Sequence, residues 1–361
     1  MRLGIRSHAK GTFHNYVEKG KELETAKMFR VAADKFIVNI TFGWEHAVAI
    51  TDKNDAGKLV SHRFPQYSFN EGMIPKFFRY LILDESFKHH LELSSPGGAG
   101  RNRVLKLNEM LEYKMSFPSE EEQKKIASYF EKLDHLITLH QRKCDQTKNL
   151  KKYMLQKMFP QNGAKVPEIR FDGYTYDWEQ RKLGDLVNRI TRKNQDLVSE
   201  LPLTISAQYG LIDQNEFFDK RVASKDVSGY YLIENGEFAY NKSTSTDAPW
   251  GAIKRLDRYE NGVLSTLYIV FGIKENNLVD SDFLVSYYST NLWHKGIHEI
   301  AAEGARNHGL LNIAPADFFE TKLMIPQDIE EQKKIGKYFE ELDHLITLHQ
   351  RQHKLHLNML L

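Results

Sequence analysis

Apolar side chains recur at intervals of four, three and four residues along a long polar stretch that begins near Ser119. This spacing is typical of a coiled-coil seam. Ser119 and Glu122 have the spacing of a capping box, so the helix is predicted to start there and to extend through residues 119–159. The apolar positions of this predicted seam are Ile126, Phe130, Leu133 and Ile137.

The same helix returns near the end of the chain. Residues 122–142 and 331–351 differ at only three of twenty-one paired positions. The chain is therefore predicted to be an internal repeat with pseudo-twofold symmetry, in which the two long helices form an antiparallel coiled coil. An alternative is that each helix packs only on its own domain, because a generic amphipathic helix needs no partner helix. The second seam consists of Ile335, Phe339, Leu342 and Ile346.

The segment before each helix, called here a body, reads as a mixture of short strands and helices. Short β-branched and aromatic runs separated by Gly and Asn/Asp clusters predict strands at residues 35–39, 47–50, 229–233 and 267–271. Helices are predicted at residues 73–88 and 281–301. The fold class is therefore α+β, with two mixed α/β domains joined by the two long helices.

The repeat also sets the domain boundaries. We predict a first body at residues 1–118, a first helix at 119–159, a linker at 160–166, a second body at 167–326 and a second helix at 327–361. Residues 3–5 can be laid on residues 203–205, and residues 35–39 on residues 237–241. Residues 178–185 find no counterpart in the first body. We therefore expect the first body to lack its opening segment and the second helix to be shortened.

The amino-acid composition limits the classes of protein to which the chain can belong. Hydrophobic residues at 41% and charged residues at 27% are ordinary for a soluble globular protein. No apolar run reaches the roughly 18 residues of a spanning helix. The single Cys144 excludes an internal disulfide and fits a reducing cytoplasm, where we expect the protein to act. The net charge of +2 means that any nucleic-acid-binding surface must be local.

The sequence contains few motifs that are typical of a catalytic or cofactor-binding site. The chain has no phosphate-binding GxxxxGK[ST] loop, and the glycine-rich residues 96–100 lack the strand and helix of a dinucleotide site. His135 and His140 are five residues apart, which separates them by about 140° around a helix, so they cannot share one metal ion. We therefore predict neither an enzyme nor a metal site.

Basic, aromatic and amide side chains do interleave in predicted loops. Arginine suits guanine edges or phosphate, and asparagine suits adenine edges. Lys242 is the leading candidate for a phosphate contact and Arg306 for a base contact, although ordinary surface turns would look similar. The candidate DNA-binding residues are Arg6, His8, Lys10, Trp44, Arg63, Arg101 and Arg103 in the first body, and Asn241, Lys242, Ser243, Trp250, Arg306 and Asn307 in the second.

The two copies share a set of sequence motifs that resembles a known protein family. In each copy a predicted strand runs into a proline (residues 114–118 and 322–326), and Glu-Gln-Lys-Lys-Ile and a helix containing Leu-Asp-His-Leu-Ile follow. This order resembles the specificity subunits of bacterial type I restriction–modification systems. Residues 167–174 and 178–185 look like the linker and first strand that open a target-recognition domain of that family. The resemblance covers essentially the whole chain.

The resemblance implies a non-catalytic subunit that binds double-stranded DNA. Each body would be a target-recognition domain for one half of a bipartite, asymmetric site. The helices would set the gap between the halves and dock two methyltransferase subunits, and restriction subunits would join the assembly. No cofactor is expected in this subunit, whereas S-adenosylmethionine, ATP and Mg²⁺ are expected in the partners. The alternatives are a two-domain adaptor that binds protein without DNA, which the near-neutral charge would suit, and an enzyme with an unrecognised site.

Overall fold

The computed structural model describes residues 1–16, 28–97, 103–206, 209–246, 248–275, 278–301 and 311–360. The chain divides into two compact units, one of residues 1–138 and 354–361 and one of residues 139–353. The division falls inside the first long helix and not at a predicted boundary between body and helix. The reason is that the second half of this helix packs within the second unit, as described below.

The first unit contains the first body, which is built from two small sheets covered by short helices. One sheet has the strand order β2-β1-β6-β3 and the other the order β5-β4-β7. The strands are β1 (Arg2–Ile5), β2 (Thr12–Asn15), β3 (Met28–Arg30), β4 (Phe36–Val38), β5 (Val48–Ile50), β6 (Leu59–Ser61) and β7 (Gln66–Tyr67). The helices are α1 (Pro75–Leu81), α2 (Glu85–Leu93), α3 (Leu107–Leu111) and the long α4 (Glu120–Lys157), whose first part lies in this unit.

The second unit contains the larger second body, whose main sheet has the order β14-β13-β16-β9. Its strands are β8 (Glu179–Lys182), β9 (Val187–Ile190), β10 (Leu203–Ser206), β11 (Gly210–Asp213), β12 (Tyr231–Glu234), β13 (Phe238–Asn241), β14 (Ala252–Arg255), β15 (Asn261–Leu264), β16 (Ile269–Ile273) and β17 (Lys322–Ile325). Its helices are α5 (Leu183–Leu186), α6 (Gln214–Phe218), α7 (Ser281–Tyr288), α8 (His294–Ile300), α9 (Pro315–Glu320) and α10 (Ile329–Leu360). The predicted strands are confirmed as β4, β5, β12 and β16.

Each predicted body helix is in fact two helices. The first is broken at Asp84, whose carboxylate accepts hydrogen bonds from the backbone N–H groups of Ser86 and Phe87 and so starts α2. The second is broken between Tyr288, where α7 ends, and His294, where α8 begins. At Asp84, a polar side chain that satisfies the first N–H groups of the new helix ends the apolar periodicity predicted to continue through it.

The antiparallel pairing of the long helices is confirmed within the second unit. The Nδ1 atoms of His140 and His349 are 3.2 Å apart, and Lys151 Nζ lies 2.6 Å from Asp343 Oδ1. The residue numbers of the contacts thus increase along α4 while they decrease along α10, so the two helices are antiparallel. His140 and His349 are the same residue of the repeat, so the pseudo-twofold axis of this helix pair passes between them.

Residues predicted for the seam also pack on the bodies. Phe339 lies in the core of the second body, and its ring centroid is 6.0 Å from that of Phe159, which follows the end of α4. Phe130 is half-buried against Tyr80 of α1, at 4.8 Å between ring centroids. Four-three spacing suits either surface, because any helix laid on a core needs one apolar stripe. The other seam positions differ in burial. Ile335 and Leu342 lie in the core of the second body, and Ile126 packs, partly buried, against the core of the first. Leu133 is buried, and Ile137 and Ile346 are half-buried.

A buried glutamine fastens the start of α4 to the first body. Gln123 is 1% exposed. Its Oε1 accepts a hydrogen bond from the Ile74 N–H at 3.0 Å, just before α1. Its Nε2 donates to the carbonyl oxygens of Pro118 at 2.8 Å and Gly72 at 3.1 Å. One amide thereby satisfies three backbone groups that surround the helix start.

Gln332, the repeat partner of Gln123, makes the same three bonds in the second body. It is also 1% exposed. Its Oε1 accepts from the Asp280 N–H at 2.9 Å, just before α7. Its Nε2 donates to the carbonyl oxygens of Pro326 at 2.9 Å and Leu278 at 3.1 Å. The two bodies are therefore attached to their helices by one duplicated device, called here the glutamine clamp.

We predict that Gln332→Ala destabilises the second unit by about 2–4 kcal/mol, because each abandoned buried polar group costs roughly 1–3 kcal/mol. In a Trp44→Phe background the remaining tryptophans, at positions 178, 250 and 293, all lie in the second unit. Urea unfolding followed by their fluorescence therefore measures this loss. Lys333→Ala, a change at the exposed neighbouring position, should stay within about 0.5 kcal/mol of wild type. Equal stability of the two variants would contradict the role of the clamp.

Candidate nucleic-acid interface

In the first body, a loop follows strand β4 and folds around Asn39. The side-chain Oδ1 of Asn39 accepts a hydrogen bond from the Thr41 N–H at 3.1 Å, which is an Asx turn. The carbonyl oxygen of Ile40 accepts from the Leu105 N–H at 2.9 Å. Residues 39–47 are called here the first Asx loop. The bond from Leu105 places the chain that follows residues 96–103 beside this loop.

The second body repeats this construction after strand β13. Asn241 Oδ1 accepts from the Ser243 N–H at 3.0 Å, and the Lys242 carbonyl oxygen accepts from the Leu311 N–H at 3.0 Å. Residues 241–251 are called here the second Asx loop. It closes at Gly251, whose φ of +77° favours glycine and where a Cβ atom would collide with the carbonyl oxygen of Asn241. Both loops thus share a backbone frame but differ in length and side chains.

At the first Asx loop, two residues predicted from the sequence form an aromatic and cationic pair. The Arg103 guanidinium lies 5.6 Å from the ring centroid of Trp44, a cation–π arrangement. The indole Nε1 of Trp44 donates to the Thr41 carbonyl oxygen at 3.2 Å, which fixes the ring on its own loop. Arg63 is exposed, and its carbonyl oxygen accepts from the Ile40 N–H at 3.0 Å. Trp44, Arg63 and Arg103 therefore meet at one loop.

The turn between β1 and β2 is joined to the first Asx loop. The His8 N–H donates to the Glu45 carbonyl oxygen at 2.8 Å, and the Ser7 hydroxyl donates to the Glu45 carboxylate at 2.6 Å. Lys10 is exposed in this turn. Arg6 has internal partners, because its Nη1 donates to the Thr12 carbonyl oxygen at 2.5 Å. The structure therefore brings the turn with Arg6, His8 and Lys10 to the same place as Trp44.

His46 ties the first Asx loop to the end of α1. It is buried in a left-handed conformation with φ of 59°, and its Nε2 donates to the Ile82 carbonyl oxygen at 2.8 Å. Burial lowers the pKa of the His46 imidazole below its ordinary value of 6.5. The loop is consequently held by a neutral histidine.

Lys242 lies differently from the expectation of a phosphate contact. Its side chain is half-buried, and its Nζ points to the Ile313 carbonyl oxygen at 3.5 Å. Burial lowers the pKa of the Lys242 amine. In this structure Lys242 therefore holds residues 311–313 against the second Asx loop. A phosphate contact would require the amine to leave that position.

The remaining candidates of the second body surround the same loop. Ser243 is exposed, and Trp250 is half-buried with its ring centroid 5.1 Å from that of His298 on α8. Arg306 and Asn307, like Arg101 in the first body, lie outside the described residues. Leu311, the first described residue after that gap, donates its N–H to the Lys242 carbonyl oxygen of this loop.

Tyr209 is an exposed residue near this surface that was not predicted from the sequence. This tyrosine lies in the turn between β10 and β11 and is 63% exposed. The Tyr268 hydroxyl lies 3.3 Å from Asn241 Nδ2 and 3.5 Å from Thr204 Oγ1, so it ties β10 to the second Asx loop. Burial raises the pKa of the Tyr268 hydroxyl. The faint repeat of residues 3–5 in residues 203–205 already paired this hairpin with β1 and β2, and that signal could have identified Tyr209.

The described parts of the chain contain neither a candidate metal centre nor a candidate membrane-spanning helix. Groups of three or more His, Cys, Asp or Glu side chains placed to hold a metal ion do not occur among the described residues. Of the helices in those residues, none has the length and apolar character needed to cross a membrane.

Acidification should loosen the first Asx loop. A base whose pKa is lower in the folded state contributes stability that is fully present above its unfolded pKa and is lost as pH falls below it. We predict that amide-exchange protection of residues 39–50, corrected for intrinsic rates, declines from pH 7.5 to pH 5.5. In His46→Gln the decline should be smaller, because the amide can donate to Ile82 without titrating. His62→Gln, at an exposed position, should behave like wild type, and an undiminished decline in His46→Gln would contradict this prediction.

Comparisons with known proteins agree with the repeat. A family model described as type I restriction modification DNA specificity domain matches residues 9–149 and 176–358. None of the curated proteins compared with the chain matches it. The S subunit of the type I restriction–modification system from M. genitalium is 14% identical, with a TM-score of 0.54 over 99% of this chain and 88% of that chain. This likeness shows a shared fold.

Two further solved structures are similar at lower scores. The HsdS subunit from Thermoanaerobacter tengcongensis is 15% identical, with a TM-score of 0.48 over 99% of this chain and 87% of that chain. A chain from a structure on complex assembly and conformational transition of the type I R-M system is 16% identical, with a TM-score of 0.43 over 94% of this chain and 82% of that chain. Because the two segments matched by the family model span most of the sequence, this chain belongs to the family of type I restriction–modification DNA specificity domains.

Proposed function

We propose that this chain is the DNA-recognition subunit of a type I restriction–modification system, in which each body reads one half of a bipartite, asymmetric target. The observation that carries this proposal is the pair of Asx loops. Asn39 and Asn241 build the same turn, and Leu105 and Leu311 make the same bond to it. A shared frame with different exposed side chains suits two related readers of two different half-sites.

The first reader combines contacts that suit DNA. Arg103 can donate to a guanine edge or to phosphate, and Trp44 offers an aromatic surface beside it. Lys10 and Arg63 are exposed around the same loop and suit the phosphate backbone. In the second reader, the exposed side chains are Tyr209, in the turn between β10 and β11, and Ser243, on the second Asx loop. The net charge of +2 does not argue against DNA binding, because Lys10, Arg63 and Arg103 form a local cationic group around the first Asx loop.

The long helices suit a partner that is present in two copies. Six pairs of identical residues are exposed at matched positions of α4 and α10. Folding constrains buried positions most strongly, so identical exposed side chains favour a shared binding partner. We propose that these exposed residues dock two methyltransferase subunits, with restriction subunits joining the assembly in the cytoplasm. The pairs are Lys124 and Lys333, Lys125 and Lys334, His135 and His344, Thr138 and Thr347, Gln141 and Gln350, and Arg142 and Arg351.

In this assembly the chain contributes recognition and the partners contribute catalysis. S-adenosylmethionine would be bound by the methyltransferase subunits, and ATP and Mg²⁺ would be used with the restriction subunits. This division of labour is supported by the poor catalytic signatures of the sequence and by the family to which the chain belongs.

We predict that Arg103→Ala relaxes recognition in one half-site only. The target is first selected from random duplexes with the chain in complex with its methyltransferase partners. Loss of a guanine contact should then weaken binding by roughly 1–3 kcal/mol and relax one base position. Lys53→Ala, which removes an exposed cation from another turn of the first body, should leave base preference unchanged.

Tyr209→Ala should affect only the other half-site. If either variant relaxed both half-sites together, the assignment of one half-site to each body would be wrong. The slope of log affinity against log salt concentration separates DNA recognition from a protein-binding adaptor, because phosphate contacts make the affinity fall with salt. An absence of binding to every duplex would favour the adaptor.

We predict that the helices bind one methyltransferase subunit each. Arg142→Glu or Arg351→Glu should reduce the stoichiometry measured by native mass spectrometry from two subunits to one, and the double variant should bind none. Charge reversal in a docking surface opposes association, whereas Lys152→Glu, an exposed change on α4 outside the near-identical stretch, should leave two subunits bound. Two bound subunits on the double variant would place docking elsewhere.

A further inference from the structure

In the second unit, a cleft lies between the second half of α4 and the second body. Its volume is about 420 Å³. It is lined by Lys151 and Leu155 of α4, by Gly251 at the end of the second Asx loop, by Lys254 of β14 and by residues 289–291 between α7 and α8. All of these residues belong to one compact unit, so the cleft is a feature of that unit alone.

The charged side chains that line this cleft are of one sign. Two of them are lysines, and among the described residues of the lining there is neither an aspartate nor a glutamate. A concave surface that carries cations without carboxylates attracts anions, because its low-dielectric walls concentrate the electric field.

Lys254 is a half-buried cation whose amine makes no ion pair or hydrogen bond with any residue that the structure describes. Burial, followed by the nearby Lys151 ammonium, lowers the pKa of the Lys254 amine, whereas the Asp343 carboxylate acts in the opposite direction. Lys151 is itself paired with Asp343, at 2.6 Å between Nζ and Oδ1. One carboxylate therefore serves two ammonium groups, and the remaining positive charge is costly to desolvate unless an anion joins it.

A second cleft continues from the first along α4. Its volume is about 740 Å³, and it shares Lys151 and residues 289–291 with the first. It adds the exposed Lys148 and Lys152, which lie on the same helix face as Lys151. The one carboxylate among its described lining residues, Glu168, is already paired with the last lysine of α4. The two clefts together are called here the lysine groove, which is defined by Lys148, Lys151, Lys152 and Lys254.

The lysine groove belongs to one copy of the repeat. The positions of α10 that correspond to Lys148 and Lys151 are occupied by Leu357 and Leu360. A partner that is present in two copies would be expected to meet the same charges twice. These lysines therefore favour a ligand other than the methyltransferase subunits.

We propose that the lysine groove binds a phosphate-bearing ligand. Lys151 and Lys254 hold one phosphate group, and the exposed lysines of α4 hold the next, because ammonium groups act as point-charge partners for phosphate oxygen atoms. Two sources share this chemistry, namely a free polyphosphate such as that of a nucleoside triphosphate, and the backbone of a duplex that continues past the second Asx loop. The site goes beyond base reading, since it requires no sequence preference of that loop.

The test is titration of the full chain with sodium tripolyphosphate at low ionic strength, measured by isothermal titration calorimetry. Saturable binding is expected. Lys254→Gln should weaken it by about tenfold or more, because it removes the cation that has no other partner. Lys143→Gln, an equal loss of charge at an exposed position of α4 that does not line the groove, is the matched control and should bind like wild type.

A second variant keeps the test independent of folding. Lys148 and Lys152 are exposed, so their joint replacement by glutamine should leave the circular dichroism spectrum unchanged and still weaken tripolyphosphate binding. Lys254→Gln should unfold at a temperature no lower than that of wild type, because it relieves a partly desolvated charge.

Competition separates the two sources of phosphate. A random-sequence duplex should displace tripolyphosphate if the groove holds the duplex backbone, and Lys254→Gln should then reduce the salt slope of duplex binding by about one unit. If the ligand is a free polyphosphate, tripolyphosphate and the duplex should bind together. Base preference at either half-site should be unchanged in Lys254→Gln, which separates this proposal from the one on the Asx loops.

Three outcomes would overturn the proposal. Absence of tripolyphosphate binding, together with a salt slope of duplex binding that Lys254→Gln leaves unchanged, would show that the groove holds no phosphate. Equal weakening by Lys254→Gln and Lys143→Gln would reduce the binding to a general attraction between opposite charges. Weaker methyltransferase binding by Lys254→Gln, with both phosphate probes bound as by wild type, would assign the groove to a carboxylate of that partner.

Discussion

The glutamine clamp is the interaction on which the rest of the structure depends. Gln123 and Gln332 each satisfy three backbone groups where a strand, a body helix and a long helix meet. Such groups are expensive to leave buried without partners. The clamp therefore fixes the position of each long helix relative to its own body, which apolar packing alone would leave free to rotate or slide. The hydrophobic contacts of Phe130 and Phe339 then follow from that position.

The two Asx loops illustrate how a repeat can keep a frame and change what the frame presents. The bonds of Asn39 and Asn241 involve an asparagine side chain and the backbone, so they leave the neighbouring side chains unconstrained. The side chains that differ are Trp44, which packs with Arg103, on the first Asx loop and Trp250, which packs with His298 of α8, on the second. Divergent side chains on a fixed backbone are what two readers of unlike half-sites require.

The repeated glutamate shows that identical sequence need not have identical surroundings. Glu331 is buried because Arg170 and Trp178 neutralise and cover it. Glu122 stands at the same helix position and is exposed, because no described residue of the first body supplies those partners. A carboxylate tolerates both states, since water and an arginine each satisfy its charge. The environment, and not the residue, sets its role.

The sequence by itself determined the internal repeat, the two long helices and the family, because capping residues and apolar periodicity are local signals that reappear almost unchanged at residues 122–142 and 331–351. It also placed four strands correctly. Only the tertiary structure decided that Phe339 enters the core of the second body, that Lys242 points inward and that Tyr268 joins β10 to the second Asx loop. The physical reason is that periodicity fixes which side of a helix or strand is apolar, whereas the surface that covers it is set by contacts between residues far apart in the chain.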